Sequence, residues 1–194
     1  MSLKLFFGIL SIVPAFVAYY FYFRDMFAGT TKPHAFSWLV WTILAGIGFV
    51  AQASAGAGIG AWTTGLTSVA SFAVFCFALY KGDTRPTRFD WTLLTLALTS
   101  LVLLFVVSSK VVALCLTLFA LIAGFAMTIR KAYNKPAEEN GRAFLLNALK
   151  FLPAIPALSS FSFLTVAYPL VAGLGNAAVA VVVYGRGRHL VRKR

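Results

Sequence analysis

Stretches of apolar residues recur along this chain at close to the thickness of a bilayer, and that recurrence leaves room for few other architectures. A hydrocarbon core of about 30 Å takes about 20 apolar residues of helix. Against that length the 194 residues divide into seven pieces: Leu3 to Phe23, Ala35 to Ala53, Gly60 to Tyr80, Trp91 to Ser109, Val111 to Ile129, Ala143 to Leu158 and Phe161 to Tyr184. Small residues from Ser54 to Gly60 separate the second and third, and Ser159 and Ser160 separate the sixth and seventh. Continuous helix through either break would far exceed one bilayer. With 60% hydrophobic and 11% charged residues, the chain also lacks the polar surface a soluble core of this size would need. The expected class is an all-α polytopic membrane protein of seven spans. The first apolar run follows a single lysine as in a secretory signal, but it has no small-x-small cleavage site and continues through Tyr22, so it is expected to stay as the first span.

The net charge of +12 raises the question of nucleic acid, and the placement of the charge answers it. Basic residues follow the first, third, fifth and seventh runs: Arg24 and Lys32; Lys81, Arg85 and Arg88; Arg130, Lys131, Lys135 and Arg142; then Arg186, Arg188, Arg192, Lys193 and Arg194. Only Lys4 and Lys110 lie on the other side, a ratio of fourteen to two. That bias places the loops cytoplasmic and the amino terminus outside. No nucleic acid partner is expected; the tail suits anionic lipid headgroups of the bilayer instead. Cys76 and Cys115 each lie within an apolar run, where a small buried thiol is common and no disulfide is indicated.

The seven runs carry an internal repeat. Thr31-Lys32-Pro33 precedes the second run and Asn134-Lys135-Pro136 the sixth, while the third and seventh end at Tyr80 and Tyr184 before basic residues. Each unit therefore reads helix, basic loop, helix, short outside turn, helix. One helix is left between them, and a single crossing gives both units the same orientation. The expected divisions are residues 1–82 for the first three-helix unit, 83–110 for the linker helix, 111–185 for the second unit and 186–194 for a basic cytoplasmic tail.

On this pattern, and on Ser11-Ile12-Val13-Pro14-Ala15 followed by Arg24 and Lys32, the chain resembles the PQ-loop and SWEET superfamily. Ala15 stands where that motif has Gln, and the aligned helix around Ala120 to Arg130 has no proline. The resemblance implies a three-plus-one-plus-three helix transporter with an outside amino terminus. The stretches Lys32-Pro33-His34-Ala35-Phe36-Ser37-Trp38 and Asn134-Lys135-Pro136 also resemble a group of bacterial multi-pass membrane proteins, which implies a bacterial cytoplasmic membrane and supplies no activity.

Lys150 is the residue most in need of explanation, because it falls near the middle of the sixth run. A lysine at the centre of a membrane helix costs about 2.5 to 3.5 kcal/mol on insertion scales and marks a functional site by default. Snorkelling toward Arg142 is the structural alternative. No Asp or Glu lies inside a run, and Asp90 stands at the start of the fourth. Either an anionic or strongly polar ligand pairs with Lys150, or the amine is uncharged in its apolar setting. The same absence argues against a carboxylate proton relay and against a retinal-type Schiff base. Asn147 lies one helical turn before Lys150 and projects from nearly the same face. Asn176, at similar depth in the seventh run, resembles in role the binding-pocket Asn of the SWEET family; interhelical hydrogen bonding is the alternative for both amides.

In the second run Trp38, Trp41, Ala45, Gly48 and Gln52 form one stripe, on which Trp41 could stack against a flat ligand or belong to an interfacial belt. Trp62 and Trp91 read as interfacial anchors. Pro14, Pro153 and Pro156 are expected to bend the first and sixth spans, as a hinge or as static packing.

Enzyme chemistry is not expected. His34 and His189 lie far from both cysteines, Gly185-Arg186-Gly187-Arg188 lacks the strand-to-helix setting of a phosphate loop, and no cofactor or metal is indicated. The expected function is a facilitator or exchanger of a small polar or anionic solute, lined by Trp41, Asn147, Lys150 and Asn176. The rival is a receptor or assembly protein on the same scaffold, and a homo-oligomer is compatible with either.

Overall fold

The computed structural model describes residues 2–31, 33–106, 109–134, 136 and 139–191, without the side chains of Met127 and of residues 187–191. Lys32, Lys135, Arg192, Lys193 and Arg194, counted above for orientation, lie outside the described residues. The described chain is helical: α1 Leu3–Phe27, α2 Ala35–Ser54, α3 Trp62–Lys81 entered through a 3-10 turn Gly58–Ala61, α4 Arg88–Phe105, α5 Lys110–Asn134, α6 Gly141–Leu149, α7 Phe151–Ala154 and α8 Phe163–Val191. Six of these segments are long and apolar enough to cross a membrane, which makes the chain a multi-pass membrane protein.

The sixth apolar run departs from expectation, since the single span Ala143 to Leu158 is instead α6 and α7, parted at Lys150. Proline is the cause. Pro153 has no N–H to give the carbonyl of Leu149, and Pro156 none for Leu152. Lys150 itself stays helical at φ −61° and ψ −28°, its N–H reaching Leu146 O at 3.0 Å, while Ile155 N–H reaches Phe151 O at 3.2 Å. The backbone therefore keeps turning with two rungs missing. Pro14 and Pro169 sit inside α1 and α8 without interrupting either helix. The seventh run starts later and ends later than expected, because nothing after Tyr184 stops a helix; Arg186, assigned to the tail, stands on α8 with its guanidinium 4.0 Å from the Tyr133 ring centre.

Side-chain placement is inverted relative to a soluble bundle. On α1, Phe6, Ile9, Val13, Phe16 and Tyr20 are exposed at three- and four-residue steps, whereas Gly8, Ser11, Ala15 and Ala18 are buried. Lipid solvates the large apolar face, and small or hydroxylated residues let helices approach. Trp62 and Trp91, at helix starts, are 62% and 54% exposed, as anchors would be.

Helix neighbours follow a recurring order. α3 packs on both α1 and α2, and α8 packs on both α5 and α6. Between these groups α1 meets α6 and α7, α2 meets α5 and α8, and α4 lies against α2 and α5. One end of the bundle carries Arg24, Lys81, Arg88, Arg130 and Arg142 and is called the basic end; the other is the far end. At the basic end Thr87 and Asp90 form a reciprocal capping box that starts α4, with Thr87 N–H donating to the carboxylate at 2.7 Å. Thr87→Ala removes one arm of that box and is expected to lower stability by about 1 kcal/mol, read as a lower melting temperature in detergent.

Candidate functional site

Four helices, α1, α3, α6 and α7, converge on the amine of Lys150. Lys150 is 1% exposed, so its side chain does not reach the bundle surface. Its Nζ donates to Asn147 Oδ1 at 2.7 Å, within α6, and to Thr67 Oγ1 at 2.8 Å on α3. The rings of Tyr19 from α1 and Phe151 from α7 lie 5.3 and 5.1 Å away, within the range of a cation over an aromatic face. Thr67 is itself fixed, because its hydroxyl donates to Thr63 O at 2.7 Å. Tyr19 OH donates to Thr67 O at 3.3 Å, which ties α1 to α3 beside the amine. Among the described residues no carboxylate lies within 4 Å of Lys150.

Lys150 stands at the inner end of a cavity of about 610 Å³. Leu44, Thr67, Ala120, Phe151 and Tyr168 line its deep part, and the walls reach His34, Asp83, Asp90, Lys131, Glu139 and Asn140 at the basic end. The volume is ordinary for a small-molecule site. Trp41 and Asn176 line it as well, so all four residues expected from the sequence share one space. Trp41 packs on Phe125 with ring centres 4.9 Å apart and rests over Gly124. The amide N–H2 of Asn176 donates to Ala172 O at 2.7 Å, one turn back on its own helix, rather than across the bundle. Trp38 is half-buried and donates to Tyr22 OH at 3.2 Å.

At the mouth, Pro33 O and Asp83 N–H, and Asp83 O and Ala35 N–H, join the α1–α2 and α3–α4 loops at 2.9 Å each. The backbone N–H and the guanidinium of Arg85 hold the Asp83 carboxyl below the usual carboxylate range. Asp25 accepts from Asn140 Nδ2 at 2.9 Å, and Lys131 pairs with Glu139 at 2.7 Å.

Among the described residues, none of the far-end turns lines the cavity. There the connection after α2 meets the connection before α8: Ser159 N–H donates to Ala57 O at 2.9 Å, Ser160 Oγ to Ala55 O at 2.6 Å, and Lys4 Nζ to Ser159 O at 3.3 Å. Gly60 belongs to this seal, since a Cβ there would stand 2.7 to 2.9 Å from Leu158, including its backbone. Between seal and cavity Gln52 spans from α2 to Thr165 O on α8 at 2.8 Å, and Ser11 bonds Thr63 across α1 and α3.

Sequence reasoning missed Thr67, Tyr19 and Tyr168. The first was open to discovery, because Thr63, Thr67 and Ser71 recur at four-residue steps as a polar line on an otherwise apolar helix. Tyr168 carried no such signal: its ring is seated over Gly48 of α2, where a Cβ would come within 2.5 Å of it. No protein family, curated protein or solved structure matches this chain.

Proposed function

We propose that this protein is a membrane transporter, a facilitator or exchanger, that carries a small polar or anionic solute between two three-helix units. In this reading α1, α2 and α3 form one unit, α5, α6–α7 and α8 the other, and α4 the linker, with the basic end cytoplasmic and the amino terminus outside. The helix order supports the division: the third member of each unit packs on the other two, and α1 against α6 is the counterpart of α5 against α2. Such an exchange of neighbours is what an axis along the membrane normal produces.

One observation carries the reading. A cavity open toward the basic end stops halfway through the bundle at a buried lysine, and the other half is closed by hydrogen bonds between the two small turns. A half-path with a polar group at its inner end is one state of an alternating-access cycle, and rocking of the units would exchange open and closed ends. A receptor needs no second, breakable seal.

The test is uptake by purified protein in liposomes, with sugars, amino acids and anionic metabolites offered in turn. Saturable uptake of at least one class is expected, together with counterflow of the same solute. Binding without uptake of any class would replace transport by a receptor role.

A further inference from the structure

We propose that the inner end of the cavity is a binding site for a small organic monoanion, a single carboxylate on an apolar or aromatic body. The proposal deepens the transport reading and rests on it for the route by which the ligand arrives.

Donor and acceptor accounting leads to this class. Charged, as it would be beside an anionic ligand, the amine of Lys150 has three N–H donors and uses two of them, on Asn147 and Thr67. Because an ammonium can only donate, it fixes the Asn147 amide with Oδ1 inward, and the amide N–H2 has no protein acceptor among the described residues. Thr67 cannot change this balance, since its own proton goes to Thr63 O. What remains free around Lys150 is therefore a set of N–H donors on neighbouring groups. Two carboxylate oxygens match them, and charge-assisted bonds of this kind are the strong ones.

Charge narrows the class further. The amine is nearly enclosed, yet its protein partners are neutral oxygens, so one negative charge would complete the site and a second would lie uncompensated in low dielectric. The body of the ligand is set by the walls. Tyr168, Phe151, Phe125 and Trp41 line the same space, and such surfaces reward an apolar or flat group over a hydroxyl-covered one.

Benzoate, benzamide and isophthalate test the proposal on the full chain in detergent, by calorimetry and by ligand-induced change in melting temperature. They share a ring and differ in charge. Benzoate is expected to bind about ten- to a hundredfold more tightly than benzamide, the range of a hydrogen bond to a charged group, and isophthalate is expected to bind more weakly than benzoate. Asn147→Asp supplies a counter-ion of the same shape, and it is expected to abolish benzoate binding while leaving the melting temperature of the empty protein unchanged or higher. Equal affinity for benzoate and benzamide overturns the proposal, as does benzoate affinity that survives Asn147→Asp. Failure of all three probes to bind also overturns it. The two readings part cleanly: benzoate that binds but is not taken up removes transport and keeps the site, whereas uptake of a neutral solute by a protein indifferent to benzoate does the reverse.

Discussion

Lys150→Ala is expected to reduce uptake in proteoliposomes by at least about tenfold, because each lost hydrogen bond from a charged donor is worth roughly ten- to a hundredfold in binding. The same substitution is expected to leave the melting temperature unchanged or to raise it. A lysine at mid-membrane carries an insertion penalty of about 2.5 to 3.5 kcal/mol that alanine does not. Truncation also opens into an existing cavity rather than leaving a new void in packed core. A lysine kept for architecture would behave in the opposite way: losing its bonds to Asn147 and Thr67 would loosen α6 from α3 and lower stability, with uptake per folded molecule preserved. Uptake and melting, measured on one preparation, separate the two.

A reversible lock at the far end is expected to have an all-or-none effect. Ala57 O and Ser159 N–H are 2.9 Å apart, and backbones joined by such a bond bring their Cα atoms to about 5 Å, within the range a disulfide spans. In a protein whose Cys76 and Cys115 have been replaced by alanine, Ala57→Cys with Ser159→Cys is expected to cross-link under mild oxidation and to stop uptake, with recovery on reduction. Binding from the basic end should persist in the locked protein, since neither position lines the cavity. Uptake that continues unchanged through a complete cross-link would show that the far end does not open during transport.

Much of the fold can be read from the sequence, because lipid imposes a strict length on each helix and excludes irregular backbone from its core. Trp38 and Trp41 of the α2 stripe and the Asn147–Lys150 pair are readable for a related reason: they break the aliphatic pattern at helical spacing, and all four line the cavity. What the pattern hides is partnership across helices. Thr67 lies far from Lys150 in sequence, and nothing local says that its hydroxyl would be turned to the amine. The break at Lys150 was hidden as well. Pro153 and Pro156 signal a bend, but the last residue before the missing rungs is set by where their absent N–H groups would have reached. Asn176 shows the reverse limit, since it lines the space as expected while spending its amide on its own helix.

The Tyr168 ring seated over Gly48 has a mechanical consequence. In the proposed cycle, a ring lodged against a bare backbone would resist sliding of α8 along α2 but allow tilt, so the contact would serve as a fulcrum between the two proposed units. It is not centred. Along α2, Gly48 lies about 21 Å from His34 at the basic end and about 9 Å from Ser54 at the far end, at about 1.5 Å per residue. The arms of such a lever would differ by roughly a factor of two, so that a displacement just large enough to part the far-end turns would swing the mouth about twice as far.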